Sequence, residues 1–470
     1  MSRIISAAFR ARSVCFSMAA ALAITVSPSA LYSETLTETL ADAYRNSGLI
    51  ERNRAVLRAA DEDVAQAVAA LRPTVSYALR NTYSDGPGQT TATGLSSILS
   101  ISSDLTVYDF GRNRLTVEAQ KETVLATRQL LLLAEAAALS AAVEAFFDVI
   151  EGLETVSLTT SNVQLIQEEL RAARDRFDVG EVTRTDVALA ESRLAEAQAQ
   201  LASARGEVSV AVASFQEAVG RQPGSLVRPG GLPAIPASVA DAKAIARRTN
   251  ASILQVRNQI SAAEINLERA RRALNPTVIG GLSSSFNVSE GANSARSSQL
   301  TLNVTGPITQ GGQLNSIIRQ SRASVDQSRA DLLLEQLSVD QQVETAYAQL
   351  NTARANIAAT REQIRAADVA FQGTREEAQL GARTTLDVLD AEQELLDARN
   401  ANISAVIAEF RAAYGVLQAI GQLTAQDLGL PVQLYDPAGY YRLVETAPSS
   451  LTVSPQGEAL DRILESVGRN

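Results

Sequence analysis

The sequence states one pattern twice. Arg72-Pro73-Thr74-Val75 is matched by Asn275-Pro276-Thr277-Val278, and Asp109-Phe110-Gly111-Arg112 by Gln310-Gly311-Gly312-Gln313. Val179-Gly180-Glu181-Val182-Thr183-Arg184-Thr185-Asp186-Val187 is matched by Leu380-Gly381-Ala382-Arg383-Thr384-Thr385-Leu386-Asp387-Val388, with Asp186 and Asp387 standing 201 residues apart. A near-constant offset marks a tandem duplication, so one half must fold much as the other does. The reading divides the chain into a first repeat at 34–222, a linker at 223–237, a second repeat at 238–430 and a C-terminal tail at 431–470. The linker is punctuated by Pro223, Pro229, Gly230, Gly231, Pro233 and Pro236.

Each half keeps the same order. An amphipathic helix comes first, Leu36–Leu71 with an interruption near Ser47-Gly48, and Val239–Leu274 in the second half; Pro73 and Pro276 stop them. Two stretches of period two follow, the signature of strands. Val75, Tyr77 and Leu79 alternate with Ser76, Ala78 and Arg80; Ile101, Leu105 and Val107 alternate with Ser102, Asp104 and Thr106. In the second half, Leu282 and Phe286 alternate with Ser283 and Ser285, and Leu300, Leu302 and Val304 with Gln299, Thr301 and Asn303. Each run is about ten residues, the length of a tilted membrane-spanning strand. Polar loops lie between them, Ser84–Ser96 and Ser289–Ser298.

After the strands the pattern turns helical and stays so, with no proline between Pro87 and Pro223 or between Pro307 and Pro431. Ala190, Leu194, Ala197, Leu201, Ala204, Val208, Ala211 and Phe215 are spaced by fours and threes, as are Val163, Ile166, Leu170, Ala173 and Phe177. That spacing is a heptad seam. One helix over Asn113–Asp178 would be roughly 100 Å long, a rod rather than part of a compact domain.

Four strands cannot close a barrel, and an open edge in lipid leaves backbone groups unpaired. Copies of the chain must therefore pool strands. Two copies give an eight-stranded barrel filled by its own side chains; three give twelve strands and room for a channel. The expected architecture is a trimeric twelve-stranded β-barrel, four strands per protomer, continued by a long α-helical coiled-coil tunnel. A coiled-coil structural protein of the envelope is the alternative; it has no need of strand pairs with an outward apolar face.

Composition agrees with export and with passivity. Arg3, Arg10 and Arg12, then the apolar Val14–Val26, then Ser27-Pro28-Ser29-Ala30 read as a signal peptide over residues 1–30. Its removal takes away the only cysteine, Cys15, and three Arg, moving the formal charge from −10 to −13. No later run reads as a transmembrane helix. An acidic chain is a poor partner for nucleic acid. His is absent altogether, which excludes His-dependent triads and the commonest metal ligand. No enzyme, cofactor or metal site is expected.

Gly180 and Gly381 fall where each helical hairpin turns, in the place of a left-handed helix cap. Thr183-x-x-Asp186 and Thr384-x-x-Asp387 read as capping boxes with Asp in the usual Glu position. Asp390 lies beyond the first turn, on the same face as Asp387, and corresponds to Leu189 in the first half. Repeated around an axis, Asp387 and Asp390 become a ring of carboxylates that selects for cations; on a solvated face they are a cap and a neighbour. Acids at i and i+3 on one helix do not span a cleft as glycosidase acids do, nor do they form a calcium loop.

From Leu36 to about Leu430 the chain resembles the TolC family of outer-membrane efflux and secretion ducts. The resemblance rests on the duplicated order, on Arg176-Phe177-Asp178-Val179-Gly180, and on Gly381 through Asp390. It implies a homotrimer spanning outer-membrane lipid, with a periplasmic tunnel that docks on an adaptor protein attached to an inner-membrane transporter. It implies that Asp387 and Asp390 form the selectivity ring of the periplasmic entrance and that Asp186 and Arg383 form constricting links. It also implies that adaptors dock on the tips, at Val179, Gly180, Leu380 and Gly381. A tyrosine usual in the link is matched here by Ala378.

Overall fold

The computed structural model describes residues 33–85, 94–289 and 293–448, with 455, 456, 458, 459 and 462. The expected signal peptide lies outside the described residues, as do parts of both strand-connecting loops. The first repeat runs β1 (Ser33–Glu34), α1 (Leu36–Asn46), α2 (Gly48–Ala69), β2 (Thr74–Ser84), β3 (Gly94–Tyr108), α3 (Arg112–Asp178) and α4 (Arg184–Val219). The linker contributes β4 (Ser225–Leu226), which pairs in parallel with β1. The second repeat runs α5 (Val239–Thr249), α6 (Ala251–Arg272), β5 (Thr277–Ser289), β6 (Ala295–Thr305), α7 (Gln313–Gln379) and α8 (Thr385–Ala419), followed by α9 (Gly439–Val444).

The break foreseen at Ser47 is present: Ser47 ends α1 and its Oγ accepts from Ile50 N to start α2. The second repeat breaks too, where a single helix over Val239–Leu274 was expected. Asn250 ends α5, and its Oδ1 accepts from Ser252 N at 2.9 Å to start α6. An Asn side chain competes for backbone hydrogen bonds, and so ends one helix and begins the next. Its amide also donates to Ala419 O at the end of α8, at 2.9 Å. Asn46 does the same for Val219 O at the end of α4, at 3.0 Å. Both long return helices are thus capped by the short helices of their own repeat.

The four long strands form one antiparallel sheet in the order β2-β3-β5-β6. Its register sorts the side chains onto two faces. Tyr77 pairs with Ile101, Leu99 with Phe286 and Leu282 with Leu300, all on one apolar face. Ser76 pairs with Ser102, Ser102 with Ser283, and Ser283 with Gln299 on the other. A bulge at Val107 leaves Tyr108 opposite Val278, so both Val107 and Tyr108 remain exposed on the apolar side. Tyr83 lies near the loop end of that face and Tyr108 near the helical end, where aromatic girdles sit in membrane barrels. The pair β3–β5 joins the repeats, leaving β2 and β6 as edges that run in opposite directions. Arg272 donates to Phe110 O at 3.0 Å and Arg112 bonds Thr277, tying the helices to the base of the sheet.

Helices α1 to α8 share one core. Phe146, Phe147 and Phe215 are fully buried in it, and Phe147 stacks on Phe410 with ring centroids 5.2 Å apart. One expectation is corrected here. An 18-residue window of α3 is long and apolar enough to cross a bilayer, but 56% of that window is buried inside the protein. Its apolarity is the demand of this many-helix core. The segment after Leu430 packs as well: Tyr440 and Val444 of α9 bury against Ala65, and Tyr440 donates to Glu62 at 2.7 Å.

Beyond the core each hairpin is a two-helix coil. The foreseen seam of α4 is present, with Ala190, Ala197, Ala204, Ala211 and Phe215 buried and Leu194, Leu201 and Val208 half-buried. Gly152 lets α4 come close, since a Cβ there would meet Val208 Cγ2 at 2.9 Å. α3 and α7 are both 67 residues long; α4 and α8 are 36 and 35.

Candidate functional site

Each hairpin turns through the same few hydrogen bonds. Gly180 N donates to Phe177 O and Glu181 N to Arg176 O, both at 2.9 Å; Gly381 N donates to Ala378 O at 3.1 Å and Ala382 N to Glu377 O at 2.9 Å. These are paired Schellman closures, which need a left-handed residue. Gly180 and Gly381 supply it at φ +81° and +76°. Nothing lies within 4 Å of where their Cβ atoms would be. Val179 and Leu380 stand beside them, 71% and 86% exposed.

The returning helices open on the foreseen capping boxes. Thr183 N donates to Asp186 Oδ2 at 2.8 Å, and Asp186 N donates to Thr183 Oγ1 at 3.3 Å. Thr384 N donates to Asp387 Oδ2 at 2.9 Å, and Asp387 N donates to Thr384 Oγ1 at 3.2 Å. Hydrogen bonds from the Thr183 hydroxyl and amide hold the Asp186 carboxyl below the usual Asp range. The Thr384 amide and hydroxyl, with Arg383 nearby, do the same for Asp387.

The two tips border one cleft of about 480 Å³, lined by Arg176, Asp186, Ala378, Gly381, Arg383 and Thr384. Asp186 and Arg383 share it, but no ion pair joins them among the described residues. Arg383 Nε instead donates to Glu377 Oε2 at 2.9 Å. Ala378 is buried against Phe371 and Val388 and carries no hydroxyl toward the cleft.

Asp387 and Asp390 do lie close on α8, but they are engaged differently. Asp387 is turned back onto its cap. Asp390 Oδ1 accepts from Arg193 Nη2 of α4 at 2.6 Å, and Arg193 Nη1 also contacts Glu196 at 3.1 Å. Arg193 is a partner the sequence reading missed; its spacing on α4 names no target.

A second missed group lies just inside. Glu392 is 3% exposed on the buried face of α8 with Val388 and Leu395, and neither carboxyl oxygen has a hydrogen-bond partner among the described residues. Glu169 of α3 is nearly as buried and forms an ion pair with Arg375 of α7, Oε1 to Nε 3.1 Å. Burial, and then the Glu169 charge, push the Glu392 carboxyl up to about 7 against the pull of Arg375. The signal was available, because Val388, Glu392 and Leu395 follow the four-three spacing of a seam with an acid at its centre. Among the described residues no group of three or more His, Cys, Asp or Glu is placed to hold a metal.

The family model for outer membrane efflux proteins matches residues 40–221 and 243–422. The chain is 35% identical over 421 residues to the outer membrane efflux protein BepC of Brucella suis, covering 88% of this chain and 91% of BepC. It is 25% identical to the outer membrane protein TolC of Escherichia coli, covering 83% and 84% of the two chains. The outer membrane channel CmeC of Campylobacter jejuni has the same fold, with a TM-score of 0.72 and 15% identity over 88% of this chain and 90% of that one. A match over both repeats, together with a close relative aligned along nearly its whole length, shows that the chain belongs to the outer membrane efflux protein family.

Proposed function

We propose that three copies of this chain form a passive export duct from the periplasm to the exterior. Their twelve strands make a barrel in the outer membrane, and their hairpins make a periplasmic tunnel. The observation that carries the reading is the sheet, with one apolar face, one serine-rich face and two open edges of opposite direction. Because β2 and β6 run oppositely, β6 of one copy meets β2 of the next in the antiparallel sense. The ring closes with no change of pattern, and closure satisfies the edge groups that lipid cannot. Lipid then meets Leu300, Leu302 and Val304, and Gln299, Thr301 and Asn303 face the lumen.

At the other end, the exposed tips Val179-Gly180 and Leu380-Gly381 are the docking points for a periplasmic adaptor attached to an inner-membrane transporter. Asp387 and Asp390 form the acidic ring of the entrance, and Asp186 and Arg383 link neighbouring tips. With Ala378 in the place of the family tyrosine, those links work without a phenol hydroxyl. A duct of this kind opens a path for cargo that its partners energise, and needs neither catalytic group nor cofactor.

Mass measurement of the detergent-extracted protein tests the assembly. Three chains are expected. A stable monomer, or a dimer with eight strands, would overturn the proposal.

A further inference from the structure

Glu392 is buried near the tips, and neither of its carboxyl oxygens has a hydrogen-bond partner among the described residues. The other charges around it are matched. On α3, Glu169 is paired with Arg375 of α7. On α4, Arg193 contacts both Glu196 and Asp390 of α8. Beside Glu392 lies a cavity of about 10 Å³ bordered by Asn162, Arg193, Glu196, Leu389 and Gln393. It has room for a single water at most. A carboxylate there would lose its hydration and gain no donor set in return, which costs far more than burying the neutral acid.

We propose that Glu392 is held as a neutral carboxylic acid in the seam between the two hairpins, and that its ionisation loosens that seam and favours separation of the tips. The protein thus carries a proton-operated latch. The seam is where the latch would act, since α8 there packs Leu389 against Leu170 and Ala173 of α3 and Ala190 of α4.

The sign follows from linkage. The closed seam holds its proton to about pH 7, and a solvated Glu releases it near 4.5. Proton binding therefore favours closure, fully at pH below the solvated value. The advantage fades as pH rises between the two, and is gone above about 7. Each unit of separation is worth a tenfold change in the closed-to-open ratio.

The opening half of the inference rests on the duct reading; the protonation half does not, so the test reads both. Cys15 is the only cysteine in the sequence, and it falls in the expected signal peptide. Spin labels on cysteines placed at the exposed Ser192 of α4 and Glu394 of α8 would therefore report the seam without background. From about pH 5 to about pH 8 the label distance should lengthen, a protonated-carboxyl infrared band should disappear, and open probability in bilayers should rise about tenfold or more. Glu392→Gln should keep the short distance, lack the Glu392 component of the band and open rarely at every pH. If Glu392→Gln does not assemble, Glu392→Leu serves, because it is neutral and suits the apolar seam. A wild-type distance and carboxyl band that do not change with pH would overturn the latch, and so would a Gln variant that keeps the pH response. A band and distance that titrate in a protein that never conducts would sink the duct reading and leave the protonated seam standing.

Discussion

Arg193 Nη2 on α4 lies 2.6 Å from Asp390 Oδ1 on α8, so the first repeat supplies the counter-charge to an acid that only the second repeat carries. The duplicated halves have become complementary at this point. If Asp390 belongs to the entrance ring, Arg193 sets how much of its charge a passing ion meets. Arg193→Gln should raise the cation-over-anion permeability ratio in bilayer recordings, and Asp390→Asn should lower it. Both should leave assembly nearly unchanged, because partly exposed pairs are worth at most about 1 kcal/mol. A ratio indifferent to both changes would place the pair away from the constriction.

The caps make a separate prediction. Thr183→Ala and Thr384→Ala each remove a side chain that accepts from the first turn, and each should destabilise its helix start by about 1 kcal/mol. Hydrogen exchange should increase at the tips and not in the core. Asp186 and Asp387 titrate below their ordinary value, so the stability they add is present above it and is lost only as pH falls through the depressed one. In the Glu392→Gln background, tip protection relative to the intrinsic exchange rate should therefore be flat through neutral pH and fall only in acid.

On the sheet, Leu302→Arg should cost roughly 2–4 kcal/mol near mid-membrane, and Thr301→Arg should be tolerated because it faces the lumen. Thr301 packs over the neighbouring strand, where a Cβ on Gly281 would meet its Oγ1 at 2.7 Å, so Gly281→Ala should be the worse change of the two lumen positions. Heat stability of the detergent-solubilised assembly ranks the three variants.

The tip glycines should matter more for docking than for folding. Ala at Gly180 or Gly381 meets no neighbour and incurs only the left-handed strain, about 1–2 kcal/mol. Val at either position should still give an assembled protein but one that fails to capture its adaptor and to support export. Failure to assemble would reduce the glycines to turns.

The strands and the hairpins were legible because each obeys a period that one residue type cannot disguise. Val75, Tyr77 and Leu79 alternate with nothing to confuse them, and the α4 seam of Ala190 to Phe215 runs for about seven turns without a proline. Asn250 was passed over because a single Asn is permitted inside a helix; only its reach to Ala419 O, 169 residues away, reveals a break. The apolar run of α3 was read as ordinary because its many partners come from both repeats and are distant in sequence. Arg193 escaped because a pairing across two repeats leaves no local pattern; Glu392 does leave one, in its four-three spacing with Val388 and Leu395, but an acid at a seam position resembles any solvated acid until its neighbours are in place.

The equal length of α3 and α7, 67 residues each, turns the periplasmic part of the protein into a ruler marked twice. Neither hairpin can change its reach alone without lifting its tip out of the plane of the other. One heptad removed at the same height from all four long helices would keep every seam in register and shorten the rod by about 10 Å, whereas the same deletion in one hairpin would tilt the mouth. Length in this chain is therefore inherited in matched pairs, and the distance its tips reach into the periplasm changes only in steps of a heptad.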